Sequence, residues 1–157
     1  MLLPFLLSAV LALPTGTIKG SVAPPANVRF AKPVEVVVFS GSYVNFYLAE
    51  VQKRVDNYWE DYRSLFIQDK QAFLHFRERA QVQALEATLA RMRSEEPESI
   101  SRFVHNTTNN TFEFHDVPQG ECKIVALVTI GSEEFIWSDS VILKGETSEF
   151  VLLKPAP

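Results

Sequence analysis

The sequence predicts a mainly β fold: a sandwich or barrel of seven strands, with a long helical insertion between the second and third strands. Short segments rich in β-branched residues and bounded by Gly, Pro and Asn are typical of strands, and they lie on both sides of a central block. That block, residues 42–96, contains neither Gly nor Pro, and its apolar residues recur at helical spacing. A chain of 157 residues is expected to form one domain.

Two strands are predicted before the helical block and five after it. The first two are GTIKGSV (16–22) and PVEVVVFS (33–40). The later five have the sequences SRFVHNTT, TFEFHDV, ECKIVALVT, EEFIWSDSVIL and ETSEFVLLK. Turn-forming residues separate most of them, at Asn109-Asn110, at Pro118-Gln119-Gly120 and at Lys144-Gly145. A two-residue turn at Asn109-Asn110 predicts that the third and fourth strands pair as a hairpin.

The helical block is predicted to fold as two helices. One apolar stripe runs through residues 48–65 in steps of three and four, and a second runs through residues 82–92. The stripes fall on nearly opposite faces of a straight helix, so a single rod of about 80 Å would need two different partners. A helical hairpin that bends near residues 67–70 buries both stripes more simply, with Asp69 as a cap.

Composition and charge exclude several classes of protein. Hydrophobic residues make up 46% and charged residues 22% of the chain, which is the balance of a globular protein. The net charge of -4 excludes the strongly basic surface of a nucleic-acid-binding protein. The single cysteine, Cys122, excludes an internal disulfide framework and a cysteine-rich zinc site.

The amino terminus predicts export. Residues 2–13 form an apolar run that is shorter than the roughly 20 residues a membrane-spanning helix needs. The run suits the core of a signal peptide covering residues 1–15, with small residues at Val10 and Ala12 near a cleavage point. No basic residue precedes the run, since the first charge is Lys19, so an uncleaved anchor remains the alternative. The expected location is the periplasm or the extracellular space.

The strand segments resemble the carboxypeptidase regulatory-like domain. GTIKGSV is similar to that family's opening strand, and TFEFHDVPQGECKIVA is similar to its F-x-F-x-x-V-P-x-G-x-Y-x-V-x-A core. The resemblance covers residues 16–40 and 100–153, and it implies a seven-stranded Greek-key β-sandwich related to transthyretin-like and starch-binding-like folds. The domain would then span residues 16–157, interrupted by the helical insertion 42–96. Cys122 stands where the family usually has Tyr, and the helical insertion is not part of the common domain.

No catalytic or metal-binding arrangement stands out in the sequence. In the predicted hairpin, His105 and His115 project to opposite faces and cannot share a metal ion, and His75 is alone in the helical block. Cys122 lies in an apolar strand and is expected to be a buried, unreactive thiol. The ending LLKPAP lacks the Tyr-Arg-Gly-Ser of the purine-pathway hydrolase among transthyretin-like proteins. A protein without catalytic activity, metal or cofactor is therefore predicted.

Aromatic residues are the candidate binding residues. Tyr58, Trp59 and Tyr62 lie within about one turn of each other in the first predicted helix. Such a group predicts either a seam against a neighbouring element or a protein-docking face, since Trp and Tyr are enriched at interface hot spots. Trp137 is interpreted as a core residue of its strand or, less favourably, as an exposed ring that stacks on a sugar. Tyr43 is a second candidate for such a sugar platform.

These expectations combine into a non-catalytic exported module for protein–protein interaction or structural support in the cell envelope or extracellular space. The predicted partner is another protein or a second copy, bound through residues 42–96. With 8 basic and 9 acidic residues, this block is too balanced in charge to favour membrane-surface binding. The alternative is a carbohydrate-binding module that uses an exposed aromatic residue and takes a polysaccharide. Neither nucleic acid nor an integral membrane span in the mature chain is expected.

Overall fold

The computed structural model describes residues 13–24, 32–146 and 148–153, the last range by its backbone alone. Residues 1–12 of the predicted signal peptide lie outside the described residues. The elements are, in chain order, β1 (Thr15–Val22), β2 (Val34–Ser40), α1 (Ser42–Gln68), α2 (Lys70–Glu95), α3 (Pro97–Phe103), β3 (Val104–Thr107), β4 (Thr111–Pro118), β5 (Gly120–Ile130), β6 (Glu133–Leu143) and β7 (Ser148–Leu153).

Two sheets enclose the first hydrophobic core. One sheet has the strand order β4-β1-β7 and the other has the order β3-β2-β5-β6. Strand β1 pairs antiparallel with β4 and parallel with β7, whereas the pairs of the second sheet are antiparallel. The sheets face each other across a layer of buried apolar side chains, which includes Ile18, Phe114, Ile124, Trp137 and Leu143.

The helices cover the opposite face of the four-stranded sheet and form a second core with it. Because successive residues of a strand point to opposite faces, Val36 joins the core between the sheets, whereas Val37 and Phe39 join the core under the helices. Both faces of β2 are therefore buried, which explains why its sequence is an almost continuous apolar run. The second core takes its helical members from residues 43–51 of α1 and 82–92 of α2, together with Ile100 and Phe103 of α3.

The predicted fold class is wrong. Apart from β7, of which only the backbone is described, the structure has six strands and three helices, with 47% helix and 39% strand. The protein is therefore an α+β fold and not a mainly β one. The helices are one of three packed layers and not an insertion carried by a complete seven-stranded sandwich. The physical reason is the apolar residues on both faces of β2, which require a cover on the side away from the first core.

The predicted bend between the two long helices is confirmed. Helices α1 and α2 meet at Asp69, which is the N-cap of α2. Its carboxylate accepts hydrogen bonds from the backbone N–H groups of Gln71 at 2.9 Å and Ala72 at 3.3 Å, which satisfies donors that a helix start leaves unpaired. The hydroxyl of Tyr43, at the start of α1, donates to Glu95, at the end of α2, over 3.1 Å. Helix α2 therefore runs antiparallel to α1.

The helical region continues past residue 96, where the sequence predicts it to end. Pro97 begins α3 because a proline in the first turn of a helix loses no hydrogen bond. Helix α3 takes the first residues of the segment SRFVHNTT that was predicted as a strand. Strand β3 is consequently reduced to four residues.

The predicted hairpin of β3 and β4 is also wrong, because the two strands lie in different sheets. Strand β3 pairs with β2, and β4 pairs with β1. The turn between them carries the chain from one sheet to the other. In this turn the Asn109 side chain accepts hydrogen bonds from the hydroxyls of Thr107 and Thr111, each at 2.8 Å, and from the Thr111 backbone N–H at 3.1 Å. Asn110 adopts the left-handed conformation with φ of 62°, which asparagine tolerates well.

Candidate functional site

The hairpin of α1 and α2 extends beyond the sheet that it covers. The two helices have 27 and 26 residues, which corresponds to about 40 Å each. Within the hairpin, residues 43–51 and 82–92, which form its base, supply the members of the second core. We call residues 58–80 the distal hairpin. It contains three of the predicted binding residues, Tyr58, Trp59 and Tyr62.

Rings from both helices hold the distal hairpin together. The buried ring of Phe66 lies at the centre, with centroids 5.4 Å from Phe73, 5.2 Å from Phe76 and 6.0 Å from Trp59. The Tyr62 ring lies 4.9 Å from that of Phe76. Aromatic pairs in such arrangements add about 0.5–1.5 kcal/mol each to what their burial contributes. The aromatic cluster consists of Tyr58, Trp59, Tyr62, Phe66, Phe73 and Phe76.

Part of the aromatic cluster stays exposed, and so do two apolar side chains near it in the sequence. Trp59 and Tyr62 keep 42% and 44% of their surface, while Leu65 and Ile67 keep 44% and 70%. Single exposed apolar side chains are normal on a protein surface, but four large ones between residues 59 and 67 are a local excess. We call these four side chains the exposed patch. The distal hairpin therefore presents apolar surface that neither the sheet nor the hairpin itself covers.

The distal hairpin is balanced in charge. It contains four basic and four acidic residues. The basic residues are Arg63, Lys70, Arg77 and Arg79, and the acidic residues are Glu60, Asp61, Asp69 and Glu78. A surface of this kind has no net attraction for an anionic lipid headgroup or a nucleic acid.

Polar contacts fix the base of the hairpin. The Arg91 side chain donates from Nε to a carboxylate oxygen of Glu95 over 2.8 Å, and its guanidinium lies 4.7 Å from the centre of the Phe46 ring. The Arg91 hydrogen bond, supported by the one from Tyr43, holds the pKa of Glu95 below its usual range. Burial, followed by the contact with Glu95, raises the pKa of Tyr43 to about 12. These contacts join the first turn of α1 to the last turn of α2.

Both candidate sugar platforms are buried, so the favoured interpretation of Trp137 as a core residue is confirmed, and the alternative of an exposed aromatic platform is wrong at both positions. Trp137 keeps 2% of its surface and stacks on Phe135 with ring centres 6.4 Å apart. Tyr43 is buried in the second core. The physical reason is that the sheet containing β6 is covered on both sides, by the other sheet and by the helices. A buried ring has no free face on which a sugar could stack.

His105, His115 and Cys122 each have their own local environment. The ring of His105 stacks on that of Phe114 at 4.3 Å, whereas His115 is exposed beside Glu113 at 3.3 Å. Burial, with a smaller effect of the neighbouring Glu121 carboxylate, raises the pKa of the Cys122 thiol to about 11. Within the described ranges, no three or more His, Cys, Asp and Glu side chains gather as metal ligands would. None of the helices described there has both the length and the apolar character needed to cross a bilayer.

No protein-family model, curated protein or solved structure matches this chain. Its predicted relationship to the carboxypeptidase regulatory-like domain therefore stays a prediction. Because a fold alone does not determine function, the functional interpretation is based on the geometry of the distal hairpin.

The sequence pattern identified three of the six rings of the aromatic cluster and missed the other three. The missed rings are Phe66, Phe73 and Phe76. A signal for them lay in the bend itself, because residues at similar distances on either side of Asp69 lie opposite each other in a hairpin. This rule pairs Phe66 with Phe73, as the structure shows.

Proposed function

We propose that this protein is a non-catalytic assembly module, exported to the cell envelope or the extracellular space, that binds through its distal hairpin. The observation that carries the proposal is the exposed patch at Trp59, Tyr62, Leu65 and Ile67. Trp and Tyr concentrate binding energy at protein interfaces, because their rings bury a large area and lose little conformational freedom. Export is supported by the apolar run at residues 2–13.

The proposed binding partner of this patch is a second copy of the same chain. A two-fold axis brings a surface against itself, so the surface must be complementary to its own copy. With four charges of each sign, two distal hairpins meet without net electrostatic repulsion. Two hairpins packed side by side form a four-helix arrangement, which buries apolar helix faces efficiently.

Multi-angle light scattering on the purified chain tests this proposal. The intact chain is expected to have about twice the mass of one copy, as a two-fold dimer requires. A variant in which residues 59–80 are replaced by a short Gly/Ser turn is expected to be a monomer. This variant keeps Tyr58 and the base of the hairpin, so a cooperative thermal transition serves as the control for folding.

The outcomes distinguish between the possible binding partners. A shortened variant that is still a dimer would place the interface outside the distal hairpin. An intact chain that remains a monomer at every concentration would overturn self-association. If such a monomer bound another purified protein only when residues 59–80 were present, the partner of the distal hairpin would be a different protein.

A further inference from the structure

The crossing from β3 to β4 contains two acceptor motifs for N-linked glycosylation. Such a motif is Asn, then any residue except Pro, then Ser or Thr. It occurs at Asn106-Thr107-Thr108 and again at Asn109-Asn110-Thr111. Both acceptor asparagines, Asn106 and Asn109, are exposed. Because a glycan is bulky and lies on the protein surface, both positions have room for one, and exposure alone does not distinguish between them.

The two motifs differ in their backbone structure. Asn106 lies within β3, opposite Glu35 of β2. Residues two positions apart along an extended strand are about 7 Å from each other, and among the described residues no hydrogen bond joins Asn106 to Thr108. In the second motif the chain bends. The hydroxyl of Thr111 donates to Oδ1 of Asn109 over 2.8 Å, and the Thr111 backbone N–H donates to the same oxygen over 3.1 Å. The second motif thus brings its third residue onto the acceptor amide.

The contacts of the Asn109 side chain favour reaction at its nitrogen. A carboxamide nitrogen is a weak nucleophile, because its lone pair is shared with the carbonyl group. When a base removes a proton from Nδ2, negative charge develops on Oδ1, and hydrogen-bond donors at that oxygen stabilise it. The Thr107 hydroxyl is a third such donor, at 2.8 Å. Within the described ranges, no hydrogen bond occupies Nδ2, the atom that reacts.

The turn at Asn109 is built from neighbouring residues. The donors to its side chain belong to Thr107 and Thr111, two positions away on either side. Asparagine side chains form such turns with adjacent backbone and hydroxyl groups. Asn110 completes the bend in the left-handed conformation, with φ of 62°, which asparagine tolerates well. The hydrogen bonds that orient the Asn109 amide therefore need no contact with a distant segment.

We propose that Asn109 is the acceptor of an N-linked glycan, added by a transferase in the compartment through which the chain is exported. The donor is an oligosaccharide on a lipid pyrophosphate. A bond forms between Nδ2 of Asn109 and the anomeric carbon of the first sugar, and the bond from that carbon to the pyrophosphate oxygen breaks. The Nδ2 proton passes to a base of the transferase, and the lipid pyrophosphate leaves with the bonding electrons. This inference rests on the export in the proposed function and not on self-association.

Expression of the full chain in a eukaryotic secretory cell tests the proposal. One version keeps its own amino terminus, and the other carries a signal peptide of the host in place of residues 1–15. Peptide N-glycosidase in water labelled with heavy oxygen removes an N-linked glycan and leaves a labelled aspartate, which mass spectrometry locates in the sequence. The label is expected at residue 109 of the secreted chain.

Threonine variants show whether the second motif is the one used. Thr111→Val keeps a β-branched side chain at the start of β4 but removes the hydroxyl, and it is expected to abolish the glycan at Asn109. Thr111→Ser keeps the hydroxyl and is expected to retain the glycan. The matched control Thr108→Val removes the corresponding hydroxyl of the first motif and is expected to leave the glycan at Asn109 unchanged. A glycan at Asn109 that survives Thr111→Val, or is lost in Thr108→Val, would contradict the proposal.

The two versions of the chain separate a failure of export from a failure of the acceptor. A glycan at Asn109 in the version with the host signal peptide alone supports the acceptor and contradicts export by the chain's own amino terminus. A chain that the host signal peptide exports without a glycan, or with the label at Asn106 alone, would overturn the proposal. Because the label is located in the wild-type sequence, this result does not depend on how well a variant folds.

Discussion

The hydroxyl of Tyr58 donates a hydrogen bond to the side-chain oxygen of Gln83, 3.0 Å away on the facing helix. Gln83 follows Val82, where α2 joins the core under the helices, and the Tyr58 ring is the first of the aromatic cluster along the chain. The bond thus lies at the boundary between the part of the hairpin that the sheet covers and the distal hairpin. The base positions the hairpin on the protein, and the distal hairpin supplies the exposed patch.

The centre of the aromatic cluster is expected to stabilise the protein strongly. Phe66→Ala removes a buried ring that contacts rings on both helices, so the free energy of unfolding should fall by about 3–5 kcal/mol. Urea unfolding followed by circular dichroism measures this change. The matched control is Leu48→Ala, at an exposed position of the same helix outside the distal hairpin, expected to change the stability by about 1 kcal/mol or less. Equal effects of the two substitutions would show that the cluster does not hold the hairpin together.

The bend of the hairpin is expected to depend on the side chain of Asp69. Asp69→Ala removes the acceptor for the N–H groups of Gln71 and Ala72, so the free energy of unfolding should fall by about 1 kcal/mol. Asp69→Asn keeps an oxygen acceptor and should retain most of the stability. Thermal unfolding of the three proteins side by side measures the difference. If alanine were tolerated as well as asparagine, the cap would not contribute to the turn.

Acidic pH is expected to lower the free energy of unfolding, because it protonates Glu95 at the base of the hairpin. Its pKa is lowered in the folded protein by the Arg91 hydrogen bond and, less strongly, by the Tyr43 hydroxyl. The stabilisation is therefore present above the unfolded pKa near 4.5 and is lost as the pH falls through the lower folded value. Glu95→Gln should show a smaller loss of stability than the wild type below this pH.

The matched control for this titration is Glu86→Gln. Glu86 is also exposed on α2, and the described part of the chain shows no salt bridge to it. Urea unfolding at a series of pH values should give the wild-type pH dependence for this variant. A Glu95→Gln variant that loses as much stability in acid as the wild type would contradict the assignment.

The thiol of Cys122 is expected to react only after unfolding. Burial is the main cause of its raised pKa of about 11, against 9.0 for an unperturbed thiol. This difference lowers the reactive thiolate fraction at pH 8 about 100-fold, and burial blocks access as well. Alkylation by iodoacetamide, followed by mass spectrometry in buffer and in urea, measures the two rates. Similar rates in both solutions would show that the strand around Cys122 is open to solvent.

Some features of the fold could be predicted from local patterns. The absence of Gly and Pro between residues 42 and 96 indicated the two long helices, and opposite apolar stripes indicated the bend at Asp69. Helical periodicity and capping depend on neighbours a few residues away, so the sequence reports them directly. The group at Tyr58, Trp59 and Tyr62 was visible for the same reason.

Other features depend on contacts between distant segments and could not be predicted in this way. A turn at Asn109-Asn110 is compatible both with a hairpin and with a crossing between sheets, and the pairing of β3 with β2 decides between them. The apolar run of β2 fits a strand buried on one face or on two, so the helical layer was missed. The core under the helices brings Val82 of α2 together with Ile136 of β6, and no pattern within either segment reports that packing.

Sedimentation equilibrium of the full chain tests the central claim most directly. Trp59→Gln/Ile67→Gln changes two exposed side chains of the distal hairpin, and Ile142→Gln changes a side chain that is 61% exposed on β6. The wild type and Ile142→Gln are expected to sediment as dimers, whereas the double variant is expected to be a folded monomer. A monomeric wild type, or a folded double variant that dimerises with unchanged affinity, would contradict self-association through the distal hairpin.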